Sequence, residues 1–152
     1  MGKLRASSVY LSESTAIVAA QHYNAAGIYF EQEDPLVIAA WRDGESLSDA
    51  LRRSLDLFVF KERNLRDDKL VDWPSYRASK CRSGSDFERK YRRLWVMAVN
   101  ESALLYEASI IPDGERDISL NASLKANAPG ADFVQPLTRL FDLCSRWDLM
   151  LD

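Results

Sequence analysis

The sequence predicts an α+β fold, in which antiparallel strands form a sheet and helices pack on it. Short apolar runs alternate with turns that contain Gly, Asn, Asp or Pro, which is typical of strands. The apolar spacing changes to a helical period over residues 46–60 and again after residue 130. The length of 152 residues, of which 47% are hydrophobic, suits a single domain that buries its own core.

Three strands are predicted in the first half, at residues 15–23, 28–33 and 36–41. Turn residues 24–27 separate the first two strands. Asp34-Pro35 separates the second from the third, because proline lacks a backbone donor and restricts the residue before it. The third run is apolar throughout, which favours a central position in the sheet.

A helix is predicted over residues 46–60, because the apolar residues there recur every three or four positions. Ser46 is placed to cap this helix, and Asp49 lies three positions later, as in a capping box. The apolar face of the predicted helix consists of Leu47, Ala50, Leu51, Leu55 and Phe58.

The segment that follows, residues 61–93, is polar and irregular, with scattered aromatic anchors. Trp73-Pro74 predicts a break in this segment, and Ser85 predicts the start of a short helix over residues 85–92. Its interleaved basic and aromatic residues are the types that bind single-stranded nucleic acid. The segment also contains acidic residues and no pattern of an RNA-binding module, so a solvated face is favoured over a nucleic-acid site.

Three further strands are predicted at residues 94–99, 103–111 and 117–124. After a turn at residues 127–130, a last helix is predicted from apolar residues at helical spacing, namely Phe133, Leu137, Leu140, Phe141 and Cys144. Pro136 lies near its start, where a missing backbone donor costs least.

Both halves of the chain therefore follow the same order of three strands and a helix. This order is consistent with a pseudo-repeat of a βββα unit within one domain over residues 1–152. The half-repeats would be residues 8–60 and 94–149, joined by the basic segment 61–93. A chance order of elements in an α+β protein is an equally good explanation.

Charge and cysteine content exclude several classes of protein. The net charge is −3, which gives no general attraction to nucleic acid or to anionic membranes. Residues 1–60 carry a net −3 and residues 94–152 a net −5, whereas residues 61–93 carry a net +5. Cys81 and Cys144 are far apart in the sequence and predict no disulfide scaffold, which favours a cytoplasmic location. No export signal and no apolar run approaching about 18 residues is present, so no membrane association is expected.

Residues that could support catalysis are few. His22 is the only histidine, and no nucleophile elbow, metal-ligand spacing or Gly-rich phosphate loop is present. A structural histidine is therefore favoured over a catalytic one, and no catalytic residue, cofactor or metal is predicted.

Acidic residues concentrate in the predicted turns. They are solvated charges in the simplest interpretation. A functional alternative is that several turns form one acidic rim, which would attract a basic protein partner. The candidate partner-binding residues are Glu31, Glu33, Asp34, Asp43, Glu45, Asp113, Glu115 and Asp117.

The chain resembles one family of immunity proteins from bacterial contact-dependent growth inhibition systems. The features that carry the resemblance are the chain length, the repeated half, and Trp41 followed by DGESLSDALRRSL at residues 43–55. They continue in SKCRSGSDFERKYRRLWVMAV at residues 79–99, in the strand that ends with Ile110-Ile111-Pro112, and in PGADFVQPLTRLFDL at residues 129–143. The resemblance extends over most of the chain, from about residue 8 to about residue 145.

This resemblance implies a cytoplasmic inhibitor that is not an enzyme. Such a protein binds the C-terminal toxin domain of a cognate surface-displayed effector, often a nuclease, and blocks it. Because nucleases must grip phosphate, an acidic inhibitor would gain association rate from complementary charge. Tight binding would also need an anchor cluster that is buried in the complex, to which an exposed aromatic residue such as Tyr29 or Trp73 could contribute. The alternatives are a small enzyme whose site is not visible in the sequence and an RNA-binding module that uses residues 61–93.

Overall fold

The computed structural model describes residues 5–100, 102–110, 118–125 and 130–151 of the chain. Within these residues, seven strands form one sheet. The strands are β1 (Arg5–Leu11), β2 (Thr15–Tyr23), β3 (Tyr29–Glu31), β4 (Leu36–Ala39), β5 (Arg92–Asn100), β6 (Ala103–Ile110) and β7 (Ile118–Lys125). The described helices are α1 (Glu45–Asp56), α2 (Pro74–Ser79), α3 (Gly84–Lys90) and α4 (Gly130–Leu151). Two short 3₁₀ turns lie at Trp41–Asp43 and Leu70–Asp72.

The sheet is antiparallel at every pairing, in the order β3-β2-β1-β5-β6-β7. At one edge, β3 pairs with residues 21–23 of β2 and β4 pairs with residues 15–18. The two short strands thus continue one another along the same side of β2 and are interrupted around Asp34-Pro35. With helices packed on this sheet, the predicted α+β class is confirmed.

The first face of the sheet carries the main core, and helices α1 and α4 cover it. Trp41 is 1% exposed, donates its indole Nε1–H to the Ser12 carbonyl at 2.8 Å, and packs edge-on against Phe141. Because Trp and Phe bury large apolar areas, this pair joins the end of the β4 segment to α4. The α1 residues in the core are Leu47, Ala50, Leu51 and Leu55, as their spacing predicts.

The second face is covered only in part, by the segment between α1 and β5. There Tyr10 and Ile17 of the sheet pack with Phe87 of α3, and the ring centroids of Tyr10 and Phe87 are 5.1 Å apart. Trp73 lies edge-on to Phe87 at 4.9 Å. The aromatic anchors that the sequence scatters through residues 61–93 therefore form a second, smaller cluster under this polar segment.

Strand β1 is the largest difference from the sequence prediction, which placed no strand there. It lies in the middle of the sheet, between β2 and β5. Its residues Ser7 and Ser8 are fully buried, and their hydroxyls form hydrogen bonds with residues of β2 and α1. The Ser7 hydroxyl donates to the Ala19 carbonyl at 3.0 Å and accepts from Ser54 at 2.8 Å, while Ser8 accepts from the Gln21 amide at 2.9 Å. Because small polar residues occupy part of this central strand, it lacks the clear apolar alternation from which strands are predicted.

The predicted bounds of helix α1 are wrong at both ends. The residue before the helix is Gly44, whose φ of 83° suits glycine, and neither Ser46 nor the predicted capping box forms the start. The helix ends at Asp56, and residues 57–60 leave it to run beside Tyr23. Tyr23 donates its backbone N–H to the Val59 carbonyl at 3.3 Å, and its carbonyl accepts from Lys61 at 2.9 Å. Backbone pairing with the sheet thus replaces the last helical turn.

Two other local predictions also change. The side chain that caps α3 belongs to Ser83, which accepts from the Asp86 backbone N–H at 3.1 Å, and not to Ser85. The predicted break at Trp73-Pro74 is present, because Trp73 is extended and separates the 3₁₀ turn at Leu70–Asp72 from α2, whose first turn tolerates Pro74. Trp41 lies in a 3₁₀ turn and not at the end of a strand.

The pseudo-repeat and the single domain over residues 1–152 stay predictions. The turn predicted at residues 127–130 falls, except for Gly130, outside the described residues. The described helices include none with the length and apolar composition that a membrane-spanning helix requires.

Candidate functional site

A cleft opens on the second face of the sheet, at the margin of the segment that covers it. Its volume is about 330 Å³, near the lower end for ligand pockets. Sheet residues form its floor, and residues 63–74 form its opposite wall. We call this site the second-face cleft, and its lining includes Tyr10, Gln21, Tyr29, Glu31, Arg63, Asp68, Lys69, Asp72, Trp73 and Arg93.

The carboxylate of Glu31 lies on the floor of the second-face cleft and is 8% exposed. One of its oxygens accepts from the Tyr10 hydroxyl and from the Trp73 indole N–H, the latter at 3.1 Å. The other oxygen accepts from the backbone N–H of Ser75 at 3.1 Å and from the Ser75 hydroxyl at 2.6 Å. Four donors therefore hold this buried charge and tie the start of α2 to strand β3.

Tyr10 is 2% exposed and acts as a donor in this network. Burial, reinforced by the negative charge of Glu31, raises the pKa of the Tyr10 hydroxyl far above its ordinary value. The hydroxyl thus keeps its proton at any physiological pH. This network can position groups and fix the shape of the cleft.

Arg93 borders the cleft from strand β5. Its guanidinium carbon lies 5.9 Å from the ring centroid of Tyr10 and 5.6 Å from that of Trp95. One guanidinium nitrogen donates to the Ser8 hydroxyl at 3.4 Å. Among the described residues, no carboxylate lies within ion-pair distance of Arg93. The guanidinium is therefore held in place by aromatic rings and a hydroxyl while part of it stays exposed.

The opposite wall is a network of exposed or half-exposed ion pairs. Arg63 contacts Glu33 at 2.9 Å and Asp68 at 3.4 Å, and Arg77 contacts the other oxygen of Glu33 at 3.1 Å. Because surface ion pairs contribute little individually, their main effect is to hold the segment over β3.

Aromatic rings continue from the cleft toward the end of the sheet. Tyr29 packs edge-on against Tyr23 at 4.8 Å and against Trp95 at 5.3 Å. Phe58 lies 6.2 Å from Tyr29 on the other side. Tyr29 and Trp73, which the sequence suggested as exposed anchors, are each half-buried and both line the cleft.

An apolar surface lies next to these rings, where residues 57–60 run beside β2. We call Ile28, Leu57, Val59 and Phe60 the apolar rim, and their side chains are 49%, 50%, 47% and 55% exposed. Single exposed apolar residues are ordinary, whereas several in neighbouring segments make a candidate contact surface.

The structure describes five of the eight acidic residues that are predicted to form one rim. Glu33 and Asp34 lie before β4, and Asp43 and Glu45 lie after it, where Asp43 accepts from the Glu45 backbone N–H at 3.1 Å. Glu31 is not an exposed turn charge, because its carboxylate is buried and bonded inside the protein. The remaining three predicted residues, Asp113, Glu115 and Asp117, lie outside the described residues.

His22 lies on β2 with its ring 5.5 Å from Phe30. Its Nδ1 is buried and makes no hydrogen bond within the described part of the chain. Burial, with the positive charge of Lys61, lowers the pKa of His22. Over residues 5–100, 102–110, 118–125 and 130–151, no three His, Cys, Asp or Glu side chains are grouped so that they could hold a metal ion.

The basic residues of segment 61–93 do not form one uniform patch. Arg89 and Lys90 pair with Asp86 at 2.7 and 3.1 Å, and these contacts lower the pKa of Asp86 to about 2. Arg63 and Arg77 pair with carboxylates as described above. Sequence reasoning placed Arg93 in this basic run but did not distinguish it. Arg93 differs from the other basic residues of the segment in its position on a strand face beside Trp95, and only the folded structure reveals this position.

The fold is similar to solved structures. One is a protein of unknown function from Neisseria meningitidis, with a TM-score of 0.73 and 11% identity over 93% of this chain and 96% of that chain. Another is a chain of the CdiA-CT/CdiI toxin and immunity complex from Yersinia pseudotuberculosis, with a TM-score of 0.68 and 10% identity over 94% of this chain and 98% of that chain. No family model and no curated protein matches the sequence. The fold is therefore one that also occurs in a toxin and immunity complex.

Proposed function

We propose that this chain is an immunity protein, which binds and neutralises the C-terminal toxin domain of a cognate contact-dependent growth inhibition effector in the cytoplasm. The observation that carries the proposal is the fold likeness, which extends over 94% of this chain and 98% of a chain from a toxin and immunity complex. The proposal agrees with the family that the sequence resembles. In this function the protein acts by covering a surface of the toxin and makes or breaks no covalent bond.

The surface around the second-face cleft suits such a role. Protein interfaces combine an apolar centre with aromatic and arginine anchors, and a polar rim surrounds them. Residues 57–60 of the apolar rim run beside Tyr23, whose ring lies 4.8 Å from that of Tyr29. Tyr29 in turn lies 5.3 Å from Trp95, and the Arg93 guanidinium lies 5.6 Å from the Trp95 ring.

The negative charge of exposed turns supports the association step of the proposed binding. The exposed acidic turns at the two ends of β4 carry Glu33, Asp34, Asp43 and Glu45. Nuclease toxins are basic where they grip phosphate, so such turns would speed association through long-range attraction. We expect neutral variants of these turns to slow association and to leave the dissociation rate nearly unchanged.

A growth-rescue assay tests the proposal. The toxin domain encoded by the neighbouring effector gene is expressed in a sensitive bacterium with and without this chain, and the two purified proteins are mixed to measure binding. We expect rescue of growth and a stable complex. Toxicity that persists despite abundant folded protein, together with no complex, would contradict the proposal.

A matched pair of variants tests whether the apolar rim is part of the toxin-binding surface. Phe60→Asp places a charge in the apolar rim, and Leu143→Asp makes the same change on the exposed side of α4. Both side chains are about half exposed, at 55% and 45%, so both variants should fold. Loss of rescue by the first variant alone is expected, because a buried interface does not tolerate an unpaired charge.

A further inference from the structure

We propose that the second-face cleft is the docking site for an acidic side chain of the toxin domain, with the Arg93 guanidinium as its binding partner. This inference rests on the proposed function and adds to it the position of the contact and the chemistry of the partner segment. The observation that carries it is the held guanidinium of Arg93, which has no carboxylate within ion-pair distance among the described residues.

The Arg93 guanidinium is oriented to bind a carboxylate. Rings at 5.9 and 5.6 Å flank its guanidinium, and the Ser8 hydroxyl accepts one of its N–H groups at 3.4 Å. These contacts fix the side chain while leaving other N–H donors unused within the described residues. A planar guanidinium with a fixed orientation recognises a carboxylate through two parallel hydrogen bonds, and less conformational entropy is lost on binding.

Apart from Lys69, the other charged lining residues already have hydrogen-bond or ion-pair partners. Glu31 accepts four hydrogen bonds, and Arg63 contacts two carboxylates. Asp72 accepts from the backbone N–H of Lys69 at 2.8 Å. Among the described lining residues, Arg93 and Lys69 are the cations without a carboxylate within ion-pair distance. The charge that remains for a bound partner to neutralise is therefore the positive charge of these two side chains, which calls for a negatively charged group on the partner.

The lining favours a polypeptide over a nucleic acid. The cleft holds about 330 Å³, which is room for side chains but not for a nucleotide strand that passes through. Glu31, Asp68 and Asp72 line it as well, and these carboxylates would repel a phosphodiester backbone with its charge at every nucleotide. A single Asp or Glu beside an apolar residue fits both Arg93 and the aromatic wall that Tyr29 and Trp73 provide.

The experiment measures binding of the purified toxin domain to wild-type protein, Arg93→Ala, Arg93→Lys and Arg93→Glu. Arg139→Ala and Arg139→Glu are the matched controls, because this exposed arginine lies on α4. We expect Arg93→Ala to weaken binding about 30-fold or more, chiefly through faster dissociation, and Arg93→Glu to weaken it further. Arg93→Lys should recover only part of the loss, since lysine cannot form the two-bond contact. Urea unfolding of each variant checks that it is folded.

A charge-swap scan then identifies the partner residue. Each acidic residue of the toxin domain is changed to Arg in turn and tested against Arg93→Glu, and one change should restore binding at least about 10-fold. If the Arg93 variants bind the toxin domain as tightly as the wild-type protein does, this inference is overturned while the proposed function stands. Failure of the wild-type protein to bind the toxin overturns both. Arg93-dependent binding of single-stranded RNA, with no effect on toxin binding, also overturns the docking of an acidic segment.

Discussion

Replacing Glu31 should destabilise the protein more than its sequence position in a polar turn suggests. In Glu31→Ala, the Tyr10 hydroxyl and both donors of Ser75 lose their acceptor while they remain buried, at 2% and 0% exposure. An unsatisfied buried donor costs about 1–3 kcal/mol. Two of the three donors are hydroxyls that can rotate, and removal of a buried charge offsets part of the loss. We therefore expect a net loss of about 3 kcal/mol in the free energy of unfolding.

Urea unfolding, followed by tryptophan fluorescence and far-ultraviolet circular dichroism, measures this loss. Glu33→Ala is the matched control, because this neighbouring carboxylate is exposed and makes only surface ion pairs. Its effect should stay below about 1 kcal/mol. Tyr10→Phe removes one donor of the same network, so its effect and that of Glu31→Ala should not add in the double variant.

Two results would refute this reasoning about Glu31. One is a Glu31→Ala variant within about 1 kcal/mol of the wild type, which would mean that the buried donors find other acceptors. The other is full additivity with Tyr10→Phe, which would mean that the two side chains stabilise the protein independently.

Three other variants test separate parts of the structure. His22→Gln should flatten the dependence of Tm on pH below 6.5. Because the pKa of His22 is lowered in the folded state, the wild-type protein loses stability as the pH falls through that range. Identical Tm curves for the wild type and the variant would contradict this. Gly44→Ala should lower the free energy of unfolding by about 1–2 kcal/mol in urea, because φ is 83° and the new Cβ would lie 3.3 Å from Val134. Phe60→Ala should raise the Kd for the toxin at least about 5-fold, measured by biolayer interferometry, without slowing dissociation of the complex. Its Tm should change little.

The sequence predicts those parts of the fold that depend on local pattern. Strands β2, β5 and β6 stand out as apolar runs between turns, and the core face of α1 follows from its spacing. Strand β1 does not stand out, because its serines are buried by partners that lie 12 or more positions away. A residue whose polar group is satisfied at long range looks like a surface residue in the sequence.

The candidate site is harder to predict for the same reason. Glu31 belongs to an acidic run and appears solvated, yet its donors come from Tyr10, Trp73 and Ser75, up to 44 positions away. Arg93 is one of many basic residues in its segment until the pairing of β1 with β5 sets it beside Tyr10. Residue types indicate which chemistry is available, whereas strand register decides which side chains meet.

The central pairing of β1 with β5 has a consequence for how the chain folds during synthesis. The pair closest in sequence, Leu11 and Arg92, is 81 positions apart, so the middle of the sheet cannot close until β5 has left the ribosome. At about 5–20 residues per second, translation of that interval takes roughly 4–16 s. During this delay the hairpin of β1 and β2 exposes an unpaired apolar edge, which favours a slow, late folding step and a need for chaperones.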